Sequence, residues 1–221
     1  VILARQGQPI PDGTGAFGLL HSGGRYYAMN DSGRVALTAP LTGTPGGSAD
    51  NAGVYSVRDP GLFWVHARSG DIAPYTSSAL STLGTPQINN QPPAAVAFFG
   101  ALAPSFVGSV VYVSRLGLLS PVSWLTQPAP DSEGDPDGFD GILNTYPTWS
   151  SSPPALRRNA AEVAVYAHLT GTTTAPQDDD AIFRASADGF AEMARGHNSA
   201  PGGGLYQEFT DPVYNANGVA A

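Results

Sequence analysis

The chain has 221 residues, 42% of them hydrophobic, which is enough to bury a core and too apolar for a disordered chain. Its net charge is −8, with ten arginines and no lysine, which excludes nucleic-acid binding through a basic face because that needs clustered cations. There is no cysteine, so disulfides, thiolate metal sites and cysteine nucleophiles are excluded as well.

Charged residues make up 13%, against roughly 25% in an average domain, while Gly (27) and Pro (20) are plentiful. Short Val/Ala/Tyr/Phe runs between turn formers predict an all-β fold with many loops. No apolar run reaches the ~18 residues of a transmembrane helix. The longest, "AAVAFFGALA" at 94–103, suits a buried strand. Val1 is not a start methionine and no signal peptide stands at the N-terminus, so a processed form or a fragment is expected.

In chain order, the first element is "LARQG" at 3–7, which returns as "HARSG" at 66–70 and "MARG" at 193–196. "WLTQPAP" at 124–130 stands where a further copy is expected. Next comes "NDSGRVALTAPLTGT" at 30–44. Asn30 and Gly33 give a tight turn, and Val35, Leu37, Ala39 and Leu41 alternate with Ala36, Thr38 and Pro40 as in a two-faced strand. "LTGT" recurs at 169–172, and Leu41, Leu102 and Leu169 fall at one repeat position, about sixty residues apart. "NAGVYSV" at 51–57 matches "GSVVYVS" at 108–114 and "DDAIFRA" at 179–185. "EVAVYAHL" at 162–169 alternates in the same way, and "ADGFAEMARG" at 187–196 aligns as a strand rather than a helical turn.

These spacings predict one β-repeat domain over residues 1–221. Its tandem ~60-residue repeats lie at about 2–64, 65–124, 125–191 and an incomplete 192–221. Short antiparallel sheets arranged as β-propeller-like blades, or a related stacked-sheet array, are the expected architecture.

Candidate sites are few. His21, His66, His168 and His197 are not paired at metal-ligand spacing, and His66 and His168 fall on strands, where a structural role is expected. No Gly-x-Ser-x-Gly elbow, His-Glu-x-x-His helix or phosphate loop occurs, and "GTPGGS" at 43–48 reads as a loop. "PDSEGDPDGFDG" at 130–141 carries Asp131, Glu133, Asp135, Asp137 and Asp140, and carboxylates at alternate positions before a glycine resemble the opening of a calcium loop. Ile142 stands where a helix-flanked loop would need its bidentate glutamate, so a solvated acidic loop or a nonhelical calcium site remain the readings. "QDDDAIF" at 177–183 is a second acidic stretch, read as the start of a strand. No other cofactor is called for.

Tyr26-Tyr27, Phe63-Trp64, Trp124, Tyr146 and Trp149 are candidates for stacking against a glycan. Trp64 and Trp124 close repeats at comparable positions and are expected to pack in the core. Tyr146 and Trp149 lie in an insertion of the third repeat, where binding faces are often found.

"NDSGRVALTA", "LTGTPGGSADNAGVY" and "LARQGQPIPDGTGAF" resemble the bacterial exported tandem-repeat proteins of the NxxGxxxxA (choice-of-anchor) type. The match is carried by Asn30, Gly33 and Thr38-Ala39, and by Asn217-Gly218-Val219-Ala220. "NNQPPAAVAF" and "NAAEVAV" lack the glycine. The resemblance implies export to the cell surface or the extracellular space and a β-repeat fold, with no reaction attached. The leading expectation is therefore a non-enzymatic extracellular structural protein that self-associates through its terminal strands into a ring or filament, without nucleic acid and without membrane insertion. The alternative is a glycan- or protein-binding module that uses the 130–152 insertion. A propeller-type hydrolase or lyase is the third reading.

Overall fold

The computed structural model describes residues 2–20, 26–103, 108–130, 139–145, 153–172, 179–207, 209 and 212–215. The fold is all-β, as the alternation predicts. Sheet 1 contains β1 (Ala16–Phe17), β2 (Tyr27–Met29), β3 (Val35–Thr42), β4 (Ala52–Val57) and β5 (Phe63–Arg68). Sheet 2 contains β6 (Ala79–Leu83), β7 (Gln87–Ile88), β8 (Val96–Ala103), β9 (Ser109–Arg115) and β10 (Leu118–Trp124). Sheet 3 contains β11 (Pro128–Pro130), β12 (Phe139–Thr145), β13 (Ala155–Leu156), β14 (Glu162–Thr170), β15 (Asp180–Ser186) and β16 (Gly189–Arg195). Every pairing between these strands is antiparallel.

The three sheets share one design. A long strand (β3, β8 or β14) carries two strands end to end on one edge and a two-strand meander on the other, and in sheet 3 β11 extends the first edge by pairing with β12. In sheet 1, Phe17 pairs with Leu41 at one end of β3 and Tyr27 pairs with Leu37 nearer the other. Val35 and Val96, the first residues of their strands, and Val163, the second of β14, stand at matching registers, opposite Met29, Ile88 and Leu156. That register puts Leu41, Leu102 and Leu169 at one position, as the sequence spacing requires. Leu37 pairs with Tyr55, Phe98 with Tyr112 and Val165 with Phe183. A bulge in the last strand also recurs, and the residue left out of register is His66, Val122 or Met193. "ADGFAEMARG" is accordingly a turn and a strand, β16, while the "GTPGGS" loop contains one 3-10 turn at Gly47–Ala49.

The sheets stack face to face with a constant polarity. Ala36, Val54 and Ala67 on one face of sheet 1 pack on Leu80, Val96, Phe98 and Tyr112 of sheet 2. The opposite face of sheet 2, with Ala97, Phe99, Val111 and Val113, packs on Leu143, Val165 and Phe183 of sheet 3. Small residues on one side thus let the neighbouring backbone come close enough to cover the aromatic rings on the other. Each fully buried Tyr55, Tyr112 or Phe183 ring contributes roughly 1.5–3 kcal/mol by leaving water. Sheet 2 lies in the middle, which explains the unbroken apolar run of β8: all six residues from Val96 to Ala101 are buried on both faces. The outer aromatic face of sheet 1 is covered by Leu3, Ala4, Ile10 and Leu20. On the outer face of sheet 3, Tyr166 meets Phe209, and Phe209 in turn meets Tyr206.

The turn between β2 and β3 ties sheet to sheet. Asn30 Oδ1 accepts hydrogen bonds from the Ser32 and Arg34 amides, closing its own turn, while Gly33 adopts φ +76°. Asn30 Nδ2 donates across the seam to the Asn89 carbonyl at 2.8 Å. Asn89 repeats the device: its Oδ1 accepts from Gln91 and Ala95, and its Nδ2 donates to the Ala160 carbonyl at 2.9 Å. In sheet 3 the same place is taken by Arg157, whose amide donates to the Glu162 carbonyl, rather than by Asn159. Its guanidinium donates to the Glu162 carboxylate, which also accepts from the Tyr214 hydroxyl.

Candidate functional site

The Ala-Arg-x-Gly copies lead into four hairpins of one geometry. Gly7, Gly70, Thr126 and His197 all have positive φ, and their amides donate to the carbonyls of Phe17, Leu80, Leu143 and Tyr206. The residues that open these turns are Arg5, Arg68, Trp124 and Arg195. "WLTQPAP" therefore does occupy the repeat position, with Thr126 in the place of glycine. In the last copy the left-handed residue is His197, one beyond the Gly196 of the sequence alignment.

The first of these hairpins closes on a charge. Arg68 Nη1 lies 3.4 Å from Asp12 Oδ2 at the tip of the 7–17 hairpin, and Nη2 donates to the Asp50 carbonyl at 3.3 Å. The Tyr55 hydroxyl reaches Asp12 at 3.5 Å. The ring of Tyr55 lies over Gly53, where a Cβ would come within 2.5 Å of it, so only glycine lets the hydroxyl extend this far. Sheet 3 closes in the same way. Arg195 Nη2 donates to the Pro130 carbonyl at 3.2 Å and Nε to Glu192 at 2.7 Å, and both side chains are almost fully buried.

Sheet 2 departs from this scheme. Counting along two hairpins of equal length, Tyr75 stands in the place of Asp12 and Trp124 in the place of Arg68. The ion pair is exchanged for two aromatic rings, 91% and 44% exposed. Both line a groove of about 740 Å³, together with Pro74 of the same hairpin and with Asp188 and Phe190 of sheet 3. The Tyr112 side chain, 1% exposed, lines the groove. Its hydroxyl has no hydrogen-bond partner among the described residues, although the equivalent Tyr55 hydroxyl reaches Asp12. Burial pushes the Tyr112 hydroxyl up to about 12, so it stays protonated and can donate. Ser120, Thr126 and Ser186 add further hydroxyl-bearing side chains.

The candidates from sequence fare differently. Asp131, Glu133, Asp135 and Asp137 lie outside the described residues, as do Tyr146, Trp149, His21 and the Asp140 side chain. In the sequence the acidic stretch follows Pro130, the end of β11, whose carbonyl accepts from Arg195. Among the described residues no group of three or more His, Asp or Glu could hold a metal ion. His66 is structural: it is buried, with Nδ1 and Nε2 each 2.9 Å from a serine hydroxyl. His168 pairs with Asp180 and meets the ring of Tyr166.

Trp64 and Trp124 correct the expectation of core packing. They are 42% and 44% exposed and are not equivalent, because Trp64 pairs with Ser56 while Trp124 pairs with Val110 at the end of its strand. The two face different surroundings. The Arg34 guanidinium sits 5.0 Å from the Trp64 ring, whereas Trp124 faces the groove. Tyr75 and Tyr112 were missed as site residues, although counting from Arg-x-Gly places Tyr75 at the hairpin tip.

The fold and groove define an all-β protein of stacked repeat sheets with an aromatic cleft at one inter-sheet seam. The chain belongs to the family of unknown function DUF7453, whose model matches residues 1–221. No curated protein and no solved structure matches it. No helix among the described residues is long and apolar enough to cross a membrane.

Proposed function

We propose that this protein is a non-enzymatic, exported β-repeat scaffold that holds a ligand in the groove between sheets 2 and 3. The exchange of Arg68–Asp12 for Trp124–Tyr75 carries this reading. At the one seam where the salt bridge is replaced, a concave space opens within the size range of small-molecule sites, about 300–1,000 Å³. Sheets 2 and 3 are tied by the Asn89 Nδ2 bond to the Ala160 carbonyl, a link that needs no ligand. Export is favoured by the resemblance of "NDSGRVALTA" to surface repeat proteins. The test is a thermal-shift screen of wild type against Trp124→Ala, using a library of neutral, anionic and cationic small molecules. Ligands that stabilise only the wild type support the reading, and equal responses of the two proteins refute it.

Self-association is the second reading. β5, β10 and β16 each pair on one side only among the described residues, and an open strand edge is a template for a neighbouring chain. Light scattering over a wide concentration range tests it: a mass that stays at 22.7 kDa rejects assembly.

A further inference from the structure

Tyr75 is held in a conformation that its side chain does not favour. Ala73-Pro74-Tyr75-Thr76 is a turn closed by the Thr76 amide on the Ala73 carbonyl, with Tyr75 at φ +62° in the position that ordinarily takes glycine. The chain contains its own comparison. In the last hairpin, Ala200-Pro201-Gly202-Gly203 makes the same turn, closed by the Gly203 amide on Ala200, and the equivalent residue is Gly202 at φ +96°. A left-handed tyrosine costs about 1 kcal/mol or more over glycine, and here that cost yields a ring 91% exposed to water. The ring is therefore not kept for packing. It lines the groove together with Trp124 and with Tyr112.

The lining selects the chemistry of an occupant. Apart from tyrosines, Asp188 is the only ionisable residue lining the groove among the described residues, so none of these offers a cation to a phosphate, sulfate or carboxylate. Hydroxyl-bearing side chains, Tyr112, Ser120, Thr126 and Ser186, both donate and accept, while the Asp188 carboxylate only accepts. An uninterrupted polyproline stretch offers carbonyl acceptors and no backbone N–H donor, so it matches the hydroxyls but not Asp188. A polyol offers both. Flat exposed aromatic rings beside such groups suit the C–H face of a sugar ring.

We propose that this groove binds a neutral pyranose saccharide, with a ring stacked on the aromatic side chains of Trp124 and Tyr75, and the Tyr112 hydroxyl and Asp188 carboxylate bonded to its hydroxyls. This rests on the reading of the groove as a binding site, and adds the class of ligand. The groove joins the hairpin of sheet 2 to the β15–β16 turn, so a bound sugar also bridges two sheets.

The experiment is calorimetric titration of the whole chain with cellohexaose, xylohexaose, mannohexaose and chitohexaose, and separately with a deca-proline peptide. At least one saccharide is expected to bind. Trp124→Ala abolishes that binding, and Tyr112→Phe weakens it by about tenfold, the loss of one hydrogen bond to an otherwise unpaired partner. Tyr75→Gly weakens it by a similar factor while the melting temperature holds or rises, because glycine relieves the backbone; that variant separates lost binding from lost fold. Failure of all four saccharides with binding of the proline peptide overturns the sugar assignment and leaves the groove as a site. Failure of every probe overturns the sugar assignment and weighs against the site itself. Saccharide binding unchanged by all three substitutions places the sugar elsewhere and overturns the proposal.

Discussion

His66 Nδ1 of sheet 1 lies 2.9 Å from the Ser114 hydroxyl of sheet 2, while Nε2 meets Ser56 of its own sheet at the same distance. The ring is 6% exposed, and its bulged position in β5 is what turns it into the seam. Burial, with the Arg34 charge added, lowers the imidazole to about 4 from an ordinary 6.5. Between these two values the unfolded chain binds a proton that the folded chain refuses, so stability rises with pH through that window. The contribution is fully present above about pH 6.5, is lost as pH falls to about 4, and amounts to roughly 3 kcal/mol. Urea unfolding of wild type and His66→Gln at a series of pH values measures it. The wild type should lose stability between pH 6.5 and 4 more steeply than the variant, and parallel curves would remove His66 as the cause.

The Asn30 and Asn89 amides make a prediction that separates their two oxygens-and-nitrogens roles. Asn89→Ala leaves the Gln91 and Ala95 amides and the Ala160 carbonyl without their partner, at a cost of about 2–4 kcal/mol. Asn89→Asp keeps the acceptor for the turn but sets a carboxylate oxygen against the Ala160 carbonyl. It should therefore destabilise at least as much as alanine at neutral pH and recover in part as the carboxylate is protonated in acid. Chemical denaturation at two pH values decides this, and a neutral-pH stability equal to wild type would show the cross-seam bond to be idle.

Much of this fold is legible in the sequence, and the reasons are local. The alternation of Val35, Leu37, Ala39 and Leu41 marks β3 because each face of a strand meets one environment. The Asn30–Gly33 turn is legible because Asn and Gly are the residues whose chemistry closes it. The reach of Asn30 Nδ2 to Asn89 is not, because its partner is a carbonyl brought near only by stacking. The groove was half visible: Trp124 stands where arginine is expected, but its relation to Tyr75 depends on a hairpin folding back to the end of its own sheet. Pairing Trp124 with Trp64 by residue type misled, because what repeats at that place is the position of Arg68 and Arg195, not the tryptophan.

Arg195 and Glu192 form a buried ion pair, 3% and 2% exposed, with Asn198 Nδ2 also donating to Glu192. Removing Arg195 takes the countercharge from a buried carboxylate. Arg195→Ala should cost about 3–5 kcal/mol, most of it the penalty on the abandoned carboxylate. The double substitution Arg195→Met with Glu192→Leu should cost much less, because no buried charge then remains. Thermal melts of both proteins test the order, and a double variant less stable than Arg195→Ala would contradict it.

Among the described residues, Thr126 carries the clearest backbone strain. It sits at φ +70°, where Gly7 and Gly70 stand at +76° and +87° in the equivalent turns, and a β-branched residue is the worst suited to that region. Its amide still donates to the Leu143 carbonyl at 2.7 Å, so the hairpin forces the conformation on it. Thr126→Gly should relieve the strain and raise stability by about 1 kcal/mol, less the extra entropy of an unfolded glycine. Thr126→Val, which keeps the branching and removes the hydroxyl, should give no such gain. If threonine was retained there for its place in the groove lining, Thr126→Gly will melt higher and bind saccharide more weakly than wild type. A variant that melts lower would mean that side-chain packing outweighs the strain at this turn.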